Sequence, residues 1–169
     1  MSRLEKTTNI AIIVACIFLV GTLVRNYYLS RNLDLNTPEI AKGTEIKLPL
    51  TAAGGQQTGT LVLALSKSCH FCGESVPFYQ KLAALKNTSL QKLRLVAVLP
   101  EKQDEAEAYL KGNGIAVDSV ISMPLPNLGV RGTPTLLLLD GQNKLEELWI
   151  GKLNEAQEAQ VMEKLKKVL

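Results

Sequence analysis

The chain has 169 residues, 46% of them hydrophobic, which is room for one packed domain and an appendage. Its formal charge of +3 is unevenly spread: residues 43–169 carry 14 Lys and Arg against 13 Asp and Glu, and the first 42 carry 5 against 3. The folded part therefore lacks the basic face of a nucleic-acid binder, and no nucleic-acid partner is expected.

Residues 1–6 form a short tail. Thr7 to Val24 then run for 18 residues without a charge, bracketed by Arg3 and Lys6 before and Arg25 after. As a helix this stretch is about 27 Å long, close to the hydrocarbon thickness of a bilayer. Tyr27 and Tyr28 follow at the depth of an aromatic belt. Residues 7–24 are thus expected to be an uncleaved single-pass anchor in the lipid bilayer. The competing reading, a cleaved signal peptide, lacks an A-x-A site at the end of the apolar run. Ile13-Val14-Ala15-Cys16 also resembles a bacterial lipobox, which would make Cys16 a lipidated N-terminus. The apolar run continues for eight residues past Cys16, where a lipoprotein would have a polar tether, so Cys16 is read as a small apolar residue of the span. The basic flanks lean slightly toward an internal N-terminus, which puts the rest of the chain outside the cytoplasm, on the periplasmic side of an inner membrane.

Residues 25–42 are polar, contain Pro38 and show no sustained period, as a tether would. A folded domain is expected over 43–169. Glu45 to Leu50 suits a short edge strand limited by Pro49, and Ala52 to Gly59, with Gly54-Gly55, suits a turn. Thr60 to Leu65, TLVLAL, is an apolar run of strand length, and Glu74 to Leu85 has the pattern of an amphipathic helix. Leu93 to Leu99, LRLVAVL, is a second buried strand ended by Pro100. Strand, helix and strand in this order imply a parallel pair with a right-handed crossover. Glu101 to Lys111 reads as a largely solvated helix stopped by Gly112-Asn113-Gly114, its charge run taken as ordinary surface. Val117 to Met123 suits a short strand and Pro124 to Gly132 a loop. Thr135 to Leu139 is a third buried strand, and Asp140-Gly141 turns the chain into an antiparallel partner over Lys144 to Ile150. Asn154 to Leu169 closes the domain as a helix, with Asn154 placed to cap it against Gln157.

The chemistry is concentrated in Ser68-Cys69-His70-Phe71-Cys72, on the turn between the first core strand and its helix. Two cysteines one helical turn apart bring their sulfurs within disulfide reach. At a helix N-terminus, free amides and the macrodipole favour the thiolate, so Cys69 is the expected nucleophile. Cys72 shares a stripe with Val76, Tyr79 and Ala83 and is the expected buried, resolving thiol. Lys67 and His70 are candidates for tuning Cys69. Glu74 is a candidate for proton transfer, against the plainer role of compensating the helix dipole. A zinc site needs four ligands, and only His70 accompanies the pair, so no metal is expected. A disulfide closing so small a loop would be a weak structural staple.

The pair after an apolar strand, Pro77 five residues beyond the second cysteine, Gly129-Val130-Arg131-Gly132-Thr133-Pro134-Thr135 before a strand, the Asp140-Gly141 turn and Gly151 together resemble the thioredoxin superfamily. The resemblance implies an α/β thioredoxin-like three-layer sandwich with a central mixed β-sheet, here preceded by one transmembrane helix. It implies that Thr133-Pro134 is a cis peptide bond packed against the cysteines, with Thr133 and Pro134 as the substrate-binding wall. The insertion Glu101 to Met123 and the anchor are similar to those of membrane-tethered extracytoplasmic thiol-disulfide oxidoreductases, including those that serve cytochrome c maturation. That likeness implies exchange of a dithiol or disulfide with protein substrates, acting as reductant, with no cofactor and a membrane redox partner. A copper or thiol chaperone and a peroxiredoxin-type peroxidase are the alternatives. The chain departs from the family at Ser68, where thioredoxins usually have Trp, and at Leu63, where they usually bury an acid.

Overall fold

A run such as TLLLLD or GTLVLA has no polar stripe to offer water, so it is stable only as a strand covered on both faces. In the computed structural model, which describes residues 12–13, 15–23, 25, 40–49 and 58–167, these runs are the centre of a five-stranded sheet. Its strands are β1 (Gly59–Ala64), β2 (Leu93–Leu99), β3 (Ser119–Ser122), β4 (Thr135–Asp140) and β5 (Leu145–Ile150), in the order β3-β2-β1-β4-β5. β1, β2 and β3 are mutually parallel, and β4 runs antiparallel to β1 and to β5. The helices are α1 (His70–Glu74), α2 (Val76–Thr88), α3 (Gln103–Gly112) and α4 (Glu155–Lys167).

One face of the sheet presents Leu61, Leu63, Leu95, Leu99, Leu136 and Leu138. All the helical core residues join this cluster: Phe78, Tyr79 and Leu82 of α2, Ala106 and Leu110 of α3, Val161 and Leu165 of α4. Each aliphatic side chain taken fully from water there contributes about 1.5–3 kcal/mol. The opposite face, with Val62, Val96, Val98, Ile121, Leu137 and Leu139, is covered by Ile40, Ile46, Leu128 and Val130. The expected third layer of helix is therefore absent among the described residues, and irregular chain takes its place. The cause is topological: β1, β2 and β3 advance in one direction, and crossovers of one hand put α2 and α3 on the same side.

Other expectations are corrected in detail. The edge strand over Glu45 to Leu50 is reduced to a single bridge between Glu45 and Lys144. Gly43 N–H donates to the Leu145 carbonyl at 2.7 Å and Ile46 N–H to that of Asn143 at 2.8 Å, after which Pro49 has no N–H to continue a ladder. Leu50 and residues 51–57 of the expected turn lie outside the described residues. The single helix over Glu74 to Leu85 is two helices, broken at Ser75, with Pro77 in the first turn of α2, where its missing N–H costs nothing. The expected loop over Pro124 to Gly132 contains a 3₁₀ turn, Leu125–Leu128. Asn154 and Gln157 form the expected reciprocal cap, each side chain accepting the other's N–H at 3.0 Å.

The chain divides into two units, Met1–Pro38 and Glu39–Leu169. In the first, residues 12, 13, 15–23 and 25 are helical, and Ile12, Ile13, Ile17, Phe18, Leu19, Val20 and Leu23 are exposed. Among the described residues no helix is long and apolar enough to cross a membrane. The remainder of the expected span, residues 7–11, 14 and 24, lies outside the described residues, as do the tail and most of the tether.

Gly129 joins the irregular cover to the 3₁₀ turn at φ +75°, and a Cβ there would meet Ile40 Cγ1 at 2.9 Å. Gly129→Ala is expected to cost about 1–2 kcal/mol from the left-handed backbone alone, with the clash added. Urea unfolding of the full chain, followed by the fluorescence of its single tryptophan, Trp149, measures this. A loss no larger than the backbone cost would show that Ile40 does not pack on this loop, and an unchanged midpoint that the backbone there is not left-handed.

Candidate active site

β1 delivers the chain to the rim of the sheet, where Leu65 N–H still bonds to the Val98 carbonyl at 2.9 Å. The next residues turn, and Cys69 N–H closes on the Ser66 carbonyl at 3.2 Å. Cys69 is the N-cap of α1, with extended backbone at φ −84° and ψ 113°, and its Sγ accepts the Cys72 N–H at 3.2 Å. A sulfur thus takes the place that a Ser or Asp oxygen takes in an ordinary cap. One turn later Cys72 points inward and is fully buried, in the cluster that holds Tyr79 and Leu82. Both cysteines are in the free thiol form.

The opposite wall comes from the start of β4. Thr133-Pro134 is a cis peptide bond. The Cys69 thiol donates to the Thr133 carbonyl at 3.3 Å. Gly151 N–H bonds to the Pro134 carbonyl at 2.7 Å, and Thr135 Oγ1 donates to the Gly132 carbonyl at 2.9 Å, so the loop is held from both sides.

The two sulfurs are electrostatically unlike. Partial burial works to raise Cys69, but hydrogen bonds from the Cys72 thiol, from Thr133 and from the amides of Cys72 and Phe71 outweigh it and lower its pKa. Cys72 is pushed up to about 12, by burial first and then by its hydrogen bond to Cys69 and the charge there. Because α1 has only five residues, the local amides carry this effect rather than the dipole of a long helix.

The remaining sequence candidates, Lys67, His70 and Glu74, pair with other charged groups around the site. His70 Nε2 lies 3.1 Å from Glu74 Oε1, and the other Glu74 oxygen accepts from Lys152 Nζ at 2.8 Å. Lys152, before His70, holds the Glu74 carboxyl below its ordinary value. Lys67 pairs with Glu105, which raises its pKa. Phe71, between the cysteines, is 54% exposed beside Cys69.

No family model matches the sequence, and no curated protein matches it. Solved structures do match. StoA from Bacillus subtilis is 20% identical over 65% of this chain and 84% of its own, with a TM-score of 0.52. The thioredoxin domain of a thiol-disulfide oxidoreductase from Bacteroides vulgatus is 14% identical over 74% of this chain and 97% of its own, at 0.55. A DsbF homologue from Corynebacterium diphtheriae is 20% identical over 68% and 74%, at 0.52. The fold is thioredoxin-like.

Within this thioredoxin-like frame, three residues beside the pair carry no distinct signal as site residues in the sequence pattern. Glu101 Oε1 accepts from Ser66 Oγ at 2.7 Å and from Lys67 N–H at 2.9 Å, tying the end of β2 to the loop that carries Cys69. The hydroxyls of Tyr79 and Tyr109 are buried nearby. Glu101 is hidden in a charge run, although its place just past a central parallel strand is where α/β sheets build sites. Tyr79 has a partial signal, since it shares the inward stripe of Cys72. Among the described residues, no group of three His, Cys, Asp or Glu converges as a metal site would require.

Alkylation of the reduced protein by iodoacetamide, with each site followed by mass spectrometry, is expected to separate the pair. Cys69 should titrate below the value of about 8.5 for an ordinary cysteine. Cys72, held at about 12, should stay unmodified at the pH values where Cys69 reacts fully. A common midpoint for the two would contradict the asymmetry.

Proposed function

We propose that the protein is a membrane-tethered thiol-disulfide oxidoreductase, acting on protein substrates outside the cytoplasm and working as a reductant. The observation that carries this reading is the pairing of a half-exposed thiol of lowered pKa with a buried thiol held at about 12, beside Thr133-Pro134. The named structural neighbours of similar fold support the same chemistry, and the resemblance to tethered reductases supports the direction.

The Cys69 thiolate attacks one sulfur of a substrate disulfide. A Cys69–substrate disulfide forms, and the other substrate sulfur leaves as a thiolate that takes a proton from water. Capping Cys69 removes its negative charge, one of the causes that hold Cys72 up. Cys72 then loses its proton and attacks the Cys69 sulfur. The Cys69–Cys72 disulfide forms, and the second substrate thiolate leaves. Two electrons have moved from the pair to the substrate. A dithiol partner at the membrane would restore the pair by the reverse exchange.

Substrate would lie as an extended strand against Thr133 and Pro134, with Phe71 as an apolar neighbour. The membrane part of the proposal rests on residues 7–24, uncharged and flanked by basic residues. It puts the domain on the periplasmic side of the inner membrane.

Cys72→Ser is expected to accumulate mixed disulfides through Cys69 that dissolve in dithiothreitol, while Cys69→Ser accumulates none. Absence of any trapped protein in intact cells, together with an unchanged phenotype in Cys72→Ser, would reject exchange. For topology, a membrane-impermeant maleimide should modify Cys69 in spheroplasts of a Cys16→Ser strain, and modification only after lysis would reject the orientation.

A further inference from the structure

The exchange chemistry leaves one question about protons, and the structure holds a group of side chains that answers it. Cys72 must lose a proton while buried, and the strand beneath the pair offers only Leu61 and Leu63 to receive it. On the other side three polar atoms are shut from the surface without a hydrogen-bond partner in the protein: the hydroxyls of Tyr79 and Tyr109 and Oε2 of Glu101. Buried polar atoms are nearly always partnered by protein or ordered water, so three such atoms around one reactive group call for an account.

These atoms converge from different elements: Tyr79 from α2, Tyr109 from α3, Glu101 from the end of β2. Burial first, and the charges that Cys72 and Cys69 can carry, keep both tyrosines neutral; at Tyr79 the neighbouring Ser75 hydroxyl works against this, and at Tyr109 Glu101 adds to it. Ser75, one turn before Tyr79, donates its hydroxyl to the Phe71 carbonyl at 2.8 Å. The second oxygen of Glu101 is fixed by Ser66 Oγ and Lys67 N–H, which leaves Oε2 as the free acceptor. Lys67 on the loop faces Glu101 and also Asp104 and Glu105 on α3, and it is paired to Glu105.

We propose that Glu101 is the proton acceptor for Cys72, reached through water bound between its Oε2 and the hydroxyls of Tyr109 and Tyr79. This rests on the oxidoreductase reading of the cysteine pair. In the resolving step the Cys72 S–H bond breaks, and its proton passes along the bound water to the Glu101 carboxylate. The sulfur's electron pair forms the Cys69–Cys72 bond, and the substrate sulfur departs with the electrons of the broken disulfide. Glu101, partly open to solvent at the rim, then returns the proton to water. In the opposite direction the protonated acid supplies Cys72. Glu101 does not touch the sulfur, so it is a positioning residue for the proton, and its effect belongs to the second step alone.

The test uses the full-length protein in a Cys16→Ser background, reduced, and mixed in stopped flow with the aromatic disulfide dithiobis(nitrobenzoate). The first nitrothiolate released reports attack by Cys69, and the second reports resolution by Cys72. Glu101→Gln keeps an oxygen for Ser66 and Lys67 but cannot take the proton. It is expected to keep the first phase within about twofold and to slow the second by about tenfold or more near neutral pH. The deficit should shrink as hydroxide takes over at high pH. Tyr109→Phe, which preserves the ring, should slow the second phase with the same pH trend. A second phase unchanged in both variants, or slowed equally at every pH, would overturn the proton path. A parent protein that releases no second nitrothiolate would instead refute the oxidoreductase reading itself.

Discussion

The hydrogen bond from the Cys72 amide to the Cys69 sulfur at 3.2 Å is the contact on which the site depends. It requires Cys69 to stand at a helix cap with its backbone still extended, and Cys72 to stand one turn inside. That single geometry makes one sulfur a solvated acceptor of N–H groups and the other a buried hydrogen-bond donor. The difference between the two sulfurs is thus a consequence of helix initiation. A thiolate that accepts amide hydrogen bonds is stabilised roughly as any charge-assisted bond is, by more than a neutral pair would be. For the thiol in the core of leucines and a tyrosine, burial and the neighbouring Cys69 outweigh the hydrogen bonds from Ser66 and Thr133, and it stays protonated.

The sheet makes this cap possible. β1 is the central strand, paired with β2 on one side and β4 on the other, so its end is fixed in three dimensions. The start of β4 lies antiparallel beside that end, with Thr135 opposite Ala64. This brings Thr133 and Pro134 to the cysteines although they are more than sixty residues away in the chain. With every described core helix on one face, α2 and α3 both lean over the inner side of the pair. Tyr79 and Tyr109 reach the same buried volume for that reason. The irregular cover on the opposite face takes no part in the site.

Much of this is legible in the sequence. LRLVAVL marks β2 with its observed bounds, because seven buried residues ending in Pro100 leave little choice. Cys69, Cys72 and the cis bond before Pro134 can be read from spacing and family resemblance. Other features turn on contacts between residues far apart in the chain. Whether Glu45 to Pro49 forms a strand depends on β5 and the turn before it, and only a bridge to Lys144 survives. The side of the sheet that each helix covers depends on strand order, which no local pattern encodes. Glu101 looks like the first of several solvated charges, and only its contacts with Ser66 and Lys67, 35 and 34 residues away, separate it from Asp104 and Glu105.

The charged residues of the site show that nearness in sequence and nearness in effect are different things. Lys67 and His70 flank Cys69 in the chain, yet each points to a carboxylate, Glu105 and Glu74 respectively. Neither is among the causes that lower Cys69, which are all hydrogen bonds from uncharged groups. This arrangement has a physical consequence. Exposed charges are screened by salt within about 8 Å at physiological ionic strength, whereas amide donors fixed by a helix cap are not displaced by ions. A thiolate supported by backbone hydrogen bonds is thus less sensitive to ionic strength than one supported by exposed charges. The surface pairs Lys67–Glu105 and Lys152–Glu74 then serve to hold the loop and helix that supply those donors.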